Sequence, residues 1–557
     1  MNQTWWEKAV VYQIYPKSFN DTTGNGVGDI QGIVEKLDYL HELGVDVIWL
    51  TPIYASPQRD NGYDISDYFS IHPEYGTMED FDVLLSKAHK KDIKVIMDIV
   101  VNHTSTEHEW FKQAASSKDN PYRNYYIWKD GKEDGSAPNN WQSKFGGNAW
   151  QYDEKTGQYY LHLFDVTQAD LNWENEEVRH KIYEMMNFWF EKGVDGFRLD
   201  VINLISKNQQ FPDDNVGDGR RFYTDGPRVH EFIHEMNKEV FSKYDSMTVG
   251  EMSSTTLEHC IQYSNPTREE LSMTFNFHHL KVDYPNGEKW ALGDMDFLSL
   301  KKILSDWQTG MNKGGGWNAL FWCNHDQPRV VSRYGNDQKY HKESAKMLAT
   351  VIHMMQGTPY IYQGEEFGMT DPKFDSIEDY RDVESINMFQ LLKQAGKTEE
   401  EILEILRRKS RDNSRTPVQW NAEANAGFTT GTPWINTARN YHEINAEAAL
   451  KDSDSVFYHY QKLISLRKEY DIVTNGDYEL LLPDHQQLFA YVRSNDNEKL
   501  IVVNNFYGEP ISFELPDTLE VEGYTKTMLL SNYSDSKEDL ENIELRPYES
   551  IVFYLKK

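Results

Sequence analysis

Short apolar runs rich in β-branched and aromatic residues punctuate the chain as far as Gln363: VVYQIY from Val10, VDVIWL from Val45, IKVIMDIVV from Ile93, VDGFRLDVI from Val194, MTVGEM from Met247, SMTFNF from Ser272, NALFWC from Asn318 and TPYIYQ from Thr358. Runs of this length and make-up predict strands. Between them apolar positions recur at helical spacing, as in Ile33, Val34, Leu37, Leu40 and Leu43 before Gly44, and Val178, Ile182, Met185 and Trp189 before Gly193. Glycine serves as the C-terminal stop in both. Eight strands alternating with helices predict parallel βαβ units closed into a (β/α)8 TIM barrel, an α/β fold, with a doubly wound open sheet as the alternative.

Two stretches break the rhythm. Residues 104–173, after the third strand, are rich in Asn, Gly, Asp, Trp and Tyr, with one alternating run, QYYLHLFDV, from Gln158. An insertion between a strand and its helix lies on the face where barrel sites form. From residue 471 onward period-two segments take over, at Leu488, Lys499, Ile511 and Ser550, and predict an antiparallel β-sandwich. The expected organisation is barrel at 1–103, inserted loop-rich subdomain at 104–173, the rest of the barrel at 174–470 and a C-terminal sandwich at 471–557.

A formal charge of -32 on 557 residues repels phosphate backbones and anionic lipid, which argues against nucleic-acid and membrane partners. No apolar run approaches the ~18 residues that span a bilayer. Cys260 and Cys323 are expected as buried free thiols, and the start MNQTWWEKAVVYQIYP lacks the order of a secretion signal. The expectation is a monomeric cytoplasmic protein.

Polar residues gather at strand C-terminal ends: Asp98, Asn102 and His103 with the third, Arg198 and Asp200 with the fourth, Glu251 with the fifth, and Asn324, His325 and Asp326 with the seventh. A single acid there is more often a cap or a loop salt bridge. Several strands doing so together bring carboxylates, an arginine and histidines to one barrel mouth, a costly arrangement expected at a functional site.

The segments DIVVNH, GFRLD, VGEM and NHDQPR, with QADLNW from Gln168 and GTPYIYQGEE from Gly357, resemble the ordered signatures of the α-amylase superfamily, glycoside hydrolase family 13. The resemblance covers essentially the whole chain. It implies a retaining glycosidase in which Asp200 is the nucleophile, Glu251 the general acid/base and Asp326 the third acid that holds sugar hydroxyls. Such an enzyme needs two carboxyls ~5–5.5 Å apart. Arg198, two residues before Asp200, is expected to keep that acid ionised. The apolar neighbours Val249 and Met252 suit Glu251 to the acid's part. Asp60, Tyr63, His103, Gln168, Arg198, His325, Arg329 and Arg411, with Arg415 in reserve, resemble the family's grip on a terminal glucose.

KSFNDTTGNGVGD, DNGYDI, VSRYG and SRDNSRTPVQW resemble the oligo-1,6-glucosidase branch, which implies exo-action. DGFRLDVINLISK, VGEMSSTT and FHHLKVDYPNGEKWA look like its trehalose-6-phosphate hydrolases, implying glucose and glucose 6-phosphate as products from a phosphorylated disaccharide. Lys281, Lys289 and His279, beside His278 after the sixth strand, are the expected phosphate contacts, since lysine holds phosphate as a compact charge. Oligo-1,6-glucosidase and sucrose isomerase are the competing activities. A non-catalytic transporter subunit would need a membrane anchor and usually a broken acid set.

Two further motifs compete with this reading. HEFIH from His230 fits a zinc-protease pattern, but its histidines flank an apolar helix stripe. Asp21, Thr23, Asn25, the Val27 carbonyl and Asp29 form an alternate-residue oxygen series suited to a structural calcium ion, against an ordinary Gly-rich turn. No cofactor is required.

Overall fold

The computed structural model describes residues 4–557, so the first three residues of the N-terminal segment lie outside the described residues. Barrel strands β1 (Val11–Ile14), β2 (Val47–Leu50), β3 (Lys94–Ile99), β4 (Gly196–Leu199), β5 (Met247–Glu251), β6 (Met273–Phe275), β7 (Ala319–Leu320) and β8 (Thr358–Tyr362) form one parallel sheet in the order β6-β5-β4-β3-β2-β1-β8-β7. A parallel bridge between Thr274 and Asn318 joins the two edges, so the ring closes and the open-sheet alternative falls away.

Strand β7 is far shorter than the run NALFWC. Its partner β8 places Pro359 opposite Leu320, and a proline has no N–H to give the ladder. Elsewhere the register is continuous, with Arg198 of β4 level with Asp98 of β3 on one side and Val249 of β5 on the other. Helix Glu176–Lys192 buries Val178, Ile182, Met185 and Trp189 and ends at Gly193 with φ 110°, the left-handed stop that favours glycine.

The insertion after β3 builds a three-stranded antiparallel sheet from Trp128–Lys129, Trp150–Asp153 and Gln158–Leu161. It is stitched back to the barrel where Gln168–Asp170 pairs with His103–Ser105. The C-terminal region has a five-stranded antiparallel sheet ordered Asp477–Leu481, Leu488–Ser494, Glu498–Asn505, Ser550–Lys556 and Thr525–Ser531, with Ile511–Glu514 paired to Asn542–Leu545 beside it. Buried Arg493 donates to the carbonyls of Met354 and Val473, and Lys301 to those of Leu482, His485 and Leu488, fastening this sheet to the barrel. Among the described residues no helix is long and apolar enough to cross a membrane.

Candidate active site

Register brings the acids together. Asp200 follows directly on β4 and Glu251 ends the neighbouring β5. Their carboxyls lie in hydrogen-bonding contact. Arg198 reaches both, 2.7 Å from Asp200 Oδ1 and 2.7 Å from Glu251 Oε2, and also meets Asp98 at 3.0 Å. The residue after Asp200 makes a further link. Val201 has φ 36°, a left-handed conformation costly for a β-branched side chain, and its N–H donates to Glu251 Oε2 at 3.1 Å.

Arg198 meets Asp200 as expected but does not serve that acid alone. Burial, followed by the adjacent charge of Glu251, pushes the Asp200 carboxyl well above the usual carboxylate range, and Arg198 only partly opposes this because it is shared with Glu251 and Asp98. Asp98 is fully buried, bonded by Trp49 Nε1 and by the Tyr63 hydroxyl, and burial raises it to about 6.

Asp326 lies in a different environment. Arg415 Nη2 is 2.8 Å and Arg411 Nη1 3.4 Å from its Oδ1, while His325 Nε2 is 3.3 Å from Oδ2. Burial opposes its charge, but these neighbours outweigh burial and hold the carboxyl well below the usual range. Burial also lowers His325 to about 3, so the ring is neutral and the two arginines carry the effect. The Gln13 amide donates to His325 Nδ1 at 2.9 Å, which leaves Nε2–H to face Asp326.

The remaining predicted sugar contacts divide. Tyr63 stacks on His325 at 5.0 Å, and Gln168 Nε2 donates to Asp60 Oδ2 at 3.0 Å and to the Tyr63 carbonyl. His103 Nε2 meets the same carbonyl, and the ring, lowered by burial to about 4, is neutral. Arg411 ties Asp60 (2.9 Å), Asp382 (2.5 Å) and Glu384 (3.3 Å) to Asp326. Arg415, the reserve choice, is nearer to Asp326 than Arg411 is. Arg329 is a correction: it is buried over the Tyr362 ring, donating to the Gln363 and Ser414 carbonyls, and contacts none of the three acids.

The phosphate candidates divide as well. His279 Nε2 bonds the Phe321 carbonyl at 2.8 Å, is buried and, lowered to about 4, carries no charge at neutral pH. Lys289 is taken by Glu384 at 2.7 Å. Only Lys281 is exposed and, among the described residues, in no ion pair. Asp382 caps and Glu384 opens the helix Val383–Gln394, Arg220 opens a short 3-10 turn and Lys144 lies in the insertion, and all four escaped the sequence reading because no recognisable motif surrounds them. Gln13, a polar residue near the end of a predicted strand, carried the same signal as Asp200 and was passed over.

The side chains of the 21–29 loop organise its backbone. Asp21 accepts from the N–H groups of Thr23, Gly24 and Gly26, and Asn25 from that of Val27. Asp29 caps the helix that begins at Ile30, accepting from Gly32 N at 2.7 Å. Asp21 also accepts from the hydroxyls of Thr23 and of the distant Thr429, at 3.2 and 2.6 Å. In HEFIH, His230 meets Glu270 and His259 while His234 bonds the Arg268 carbonyl, so the two do not share a ligand. Cys260 and Cys323 are buried and free.

This arrangement has known counterparts. Residues 13–476 match the family described as alpha amylase, catalytic domain, and residues 488–552 match the alpha-amylase SusG C-terminal domain. The chain is 71% identical over 553 residues to trehalose-6-phosphate hydrolase of Bacillus subtilis (strain 168), covering 99% of this chain and 98% of that one. It is 55% identical to oligo-1,6-glucosidase of Parageobacillus thermoglucosidasius, with full coverage of both. A crystal structure of Bacillus licheniformis trehalose-6-phosphate hydrolase superposes with a TM-score of 0.98 at 72% identity and complete coverage of both chains. With the closed barrel and the acids at its mouth already in place, these likenesses show that the chain belongs to the α-amylase family.

Proposed function

We propose that this chain is a retaining glycoside hydrolase that cleaves α,α-trehalose 6-phosphate to glucose and glucose 6-phosphate. The observation that carries the chemistry is the Asp200–Glu251 contact on adjacent strand ends with Arg198 against both. A retaining glycosidase requires one carboxylate to attack the anomeric carbon and one carboxyl to protonate the leaving oxygen. A buried carboxyl pair that keeps a proton meets that need. We assign attack to Asp200, proton donation and later water activation to Glu251, and the hold on the glucose hydroxyls to Asp326 with its arginines. Asp60, Tyr63, His103, Gln168 and His325 complete the glucose site in this reading. It draws on carboxyl chemistry alone and assigns no cofactor. The reading also takes the chain as a cytoplasmic monomer divided at residues 103, 173 and 470.

The choice of substrate rests on the 71% identical hydrolase against the 55% identical glucosidase. Incubation with trehalose 6-phosphate, trehalose and isomaltose, with coupled detection of glucose 6-phosphate and free glucose, tests it. Strong turnover of the first alone is expected. Isomaltose as the preferred substrate would transfer the chain to the oligo-1,6-glucosidases.

A further inference from the structure

Asp200 and Glu251 stand where β4 and β5 stop, so ladder hydrogen bonds do not reach the backbone that follows them. Side chains join the two chains there instead. The turn after Asp200 is the short 3-10 segment Ile202–Leu204, and its middle residue, Asn203, is fully buried. Asn203 Oδ1 accepts from the Ser253 N–H at 2.9 Å, and its Nδ2 donates to the Ser253 carbonyl at 2.8 Å. One amide thus satisfies both backbone groups of the residue two places beyond Glu251.

The link extends outward. Asn203 Nδ2 also donates to Asp225 Oδ1 at 3.1 Å, and the Asp225 N–H donates to the Asn203 carbonyl at 2.9 Å. Asp225 in turn accepts from Thr255 Oγ1 at 3.0 Å and from the Tyr263 hydroxyl at 2.6 Å. Thr255 continues the loop after β5, and Tyr263 lies on the helix Leu257–Ser264 that follows. From the insertion, Lys144 Nζ donates to Ser253 Oγ at 3.2 Å.

The backbone on both sides of this link is strained. Val201 has φ 36° and Ser254 φ 52°, left-handed values unfavourable for residues that carry a side chain. Such conformations persist only where the surroundings over-determine them, and they cluster at functional sites. Here the Val201 N–H is spent on Glu251 Oε2, while Ser254 is pinned between Ser253, held by Asn203, and Thr255, held by Asp225.

We propose that Asn203 is a positioning residue for proton transfer: by fastening Ser253 to the turn after Asp200, it fixes the Glu251 carboxyl relative to Asp200 and to the leaving oxygen. This rests on the proposed hydrolase reading, in which Glu251 is the acid. The hydrogen bonds of the Asn203 amide go to Ser253 and Asp225, so it acts on Glu251 through the backbone. Its effect must therefore follow how much the leaving group needs a proton. A sugar hydroxyl leaves poorly without one, whereas 4-nitrophenolate leaves with little help.

The test measures kcat/KM of Asn203→Ala in the full chain on trehalose 6-phosphate and on the neutral 4-nitrophenyl α-glucoside. Both substrates are run on one preparation, so the fraction of folded enzyme cancels in the ratio. The loss on trehalose 6-phosphate is expected to exceed that on the neutral glucoside by about tenfold or more, since small misplacement of a reacting group is costly. The same selective loss is expected of Asn203→Asp, which keeps the size and the acceptor for the Ser253 N–H but has no donor for its carbonyl. That second variant keeps the claim testable if Asn203→Ala does not fold. Equal losses on both substrates, as a merely structural role would give, or no loss in either variant, overturns the proposal. Glu251→Gln is the reference. If it shows no selective loss, the assignment of Glu251 as the acid falls and takes the proposal with it. If it does and the Asn203 variants do not, only the role of Asn203 is overturned.

Discussion

On the glucose side of the pocket, Arg411 is shared among Asp60, Asp326, Asp382 and Glu384, and Arg415 adds a second contact to Asp326. Around the end of β5 on the other side of Glu251, among the described residues, Lys144 and Lys281 are in no ion pair and Arg220 pairs with Asp218. The difference follows from what each half has to hold. A neutral glucose brings no charge, so its half fixes its own geometry in advance by pairing buried charges. In the proposed reading the other half meets a phosphorylated sugar, whose negative charge can supply the partner that its cations lack.

The comparison can be broken at its shared centre, where both halves meet the reacting bond. Asp200→Asn should reduce kcat on trehalose 6-phosphate and on the neutral glucoside alike, by roughly 10⁴-fold, because in the proposed mechanism it removes the group that forms the intermediate. A variant that keeps most of its turnover on either substrate would remove Asp200 from the mechanism.

Next in size is the glucose-side network. Asp382 is fully buried against Arg411 and Arg415, which, against burial, hold its carboxyl well below the usual range. Asp382→Ala leaves two buried guanidinium groups short of a partner and is expected to destabilise the fold by ~3–5 kcal/mol. Urea denaturation reads the loss directly, and an unchanged midpoint would show the network to be dispensable.

The third effect separates the halves by pH. The Lys144 ammonium, lowered by burial and by Arg220 and Lys281 against the opposing charges of Asp218 and Glu251, sheds its proton near pH 7. A phosphate monoester becomes dianionic above about pH 6. The ratio of kcat/KM for trehalose 6-phosphate to that for the neutral glucoside should therefore peak between about pH 6 and 7 and fall above it, since titrations common to both substrates cancel. In Lys144→Met the fall above pH 7 should vanish. Asp326, held ionised by Arg411 and Arg415, adds no titration in this window. Its folded-state value is depressed, so any stability it contributes is lost only as the pH drops through and below the ordinary carboxylate range.

The smallest effect concerns Lys289, whose partner Glu384 also touches Arg411. Lys289→Gln should slow both substrates in the same proportion, with the selectivity ratio shifting by no more than about twofold. A selective loss on the phosphorylated sugar would return Lys289 to the phosphate site.

What the chain disclosed in advance follows the same division. The barrel and the three acids were legible because strand periodicity places DIVVNH, GFRLD, VGEM and NHDQPR at strand C-terminal ends, and ring closure does the rest. Gln168 and His103 were also readable, and pairing between their two short strands puts them side by side. Loops were a different matter. Position in the loop after β6 was correctly read for Lys281, Lys289 and His279, but position does not say which partner a side chain takes, and Glu384 and the Phe321 carbonyl took two of the three. Lys144 and Arg220 sit in two loops remote from Lys281 along the chain, and no local pattern announces either. Arg198 was placed correctly beside Asp200, but its sharing with Glu251 and Asp98 was not legible because it depends on three strands at once.

The most direct measurement is to trap the intermediate. Reaction with 5-fluoro-α-glucosyl fluoride, followed by digestion and mass spectrometry, should show a fluoroglucosyl group on the peptide that contains Asp200, attached at that residue. Label on Glu251 or Asp326, or rapid hydrolysis with inverted product and no label, would contradict the account.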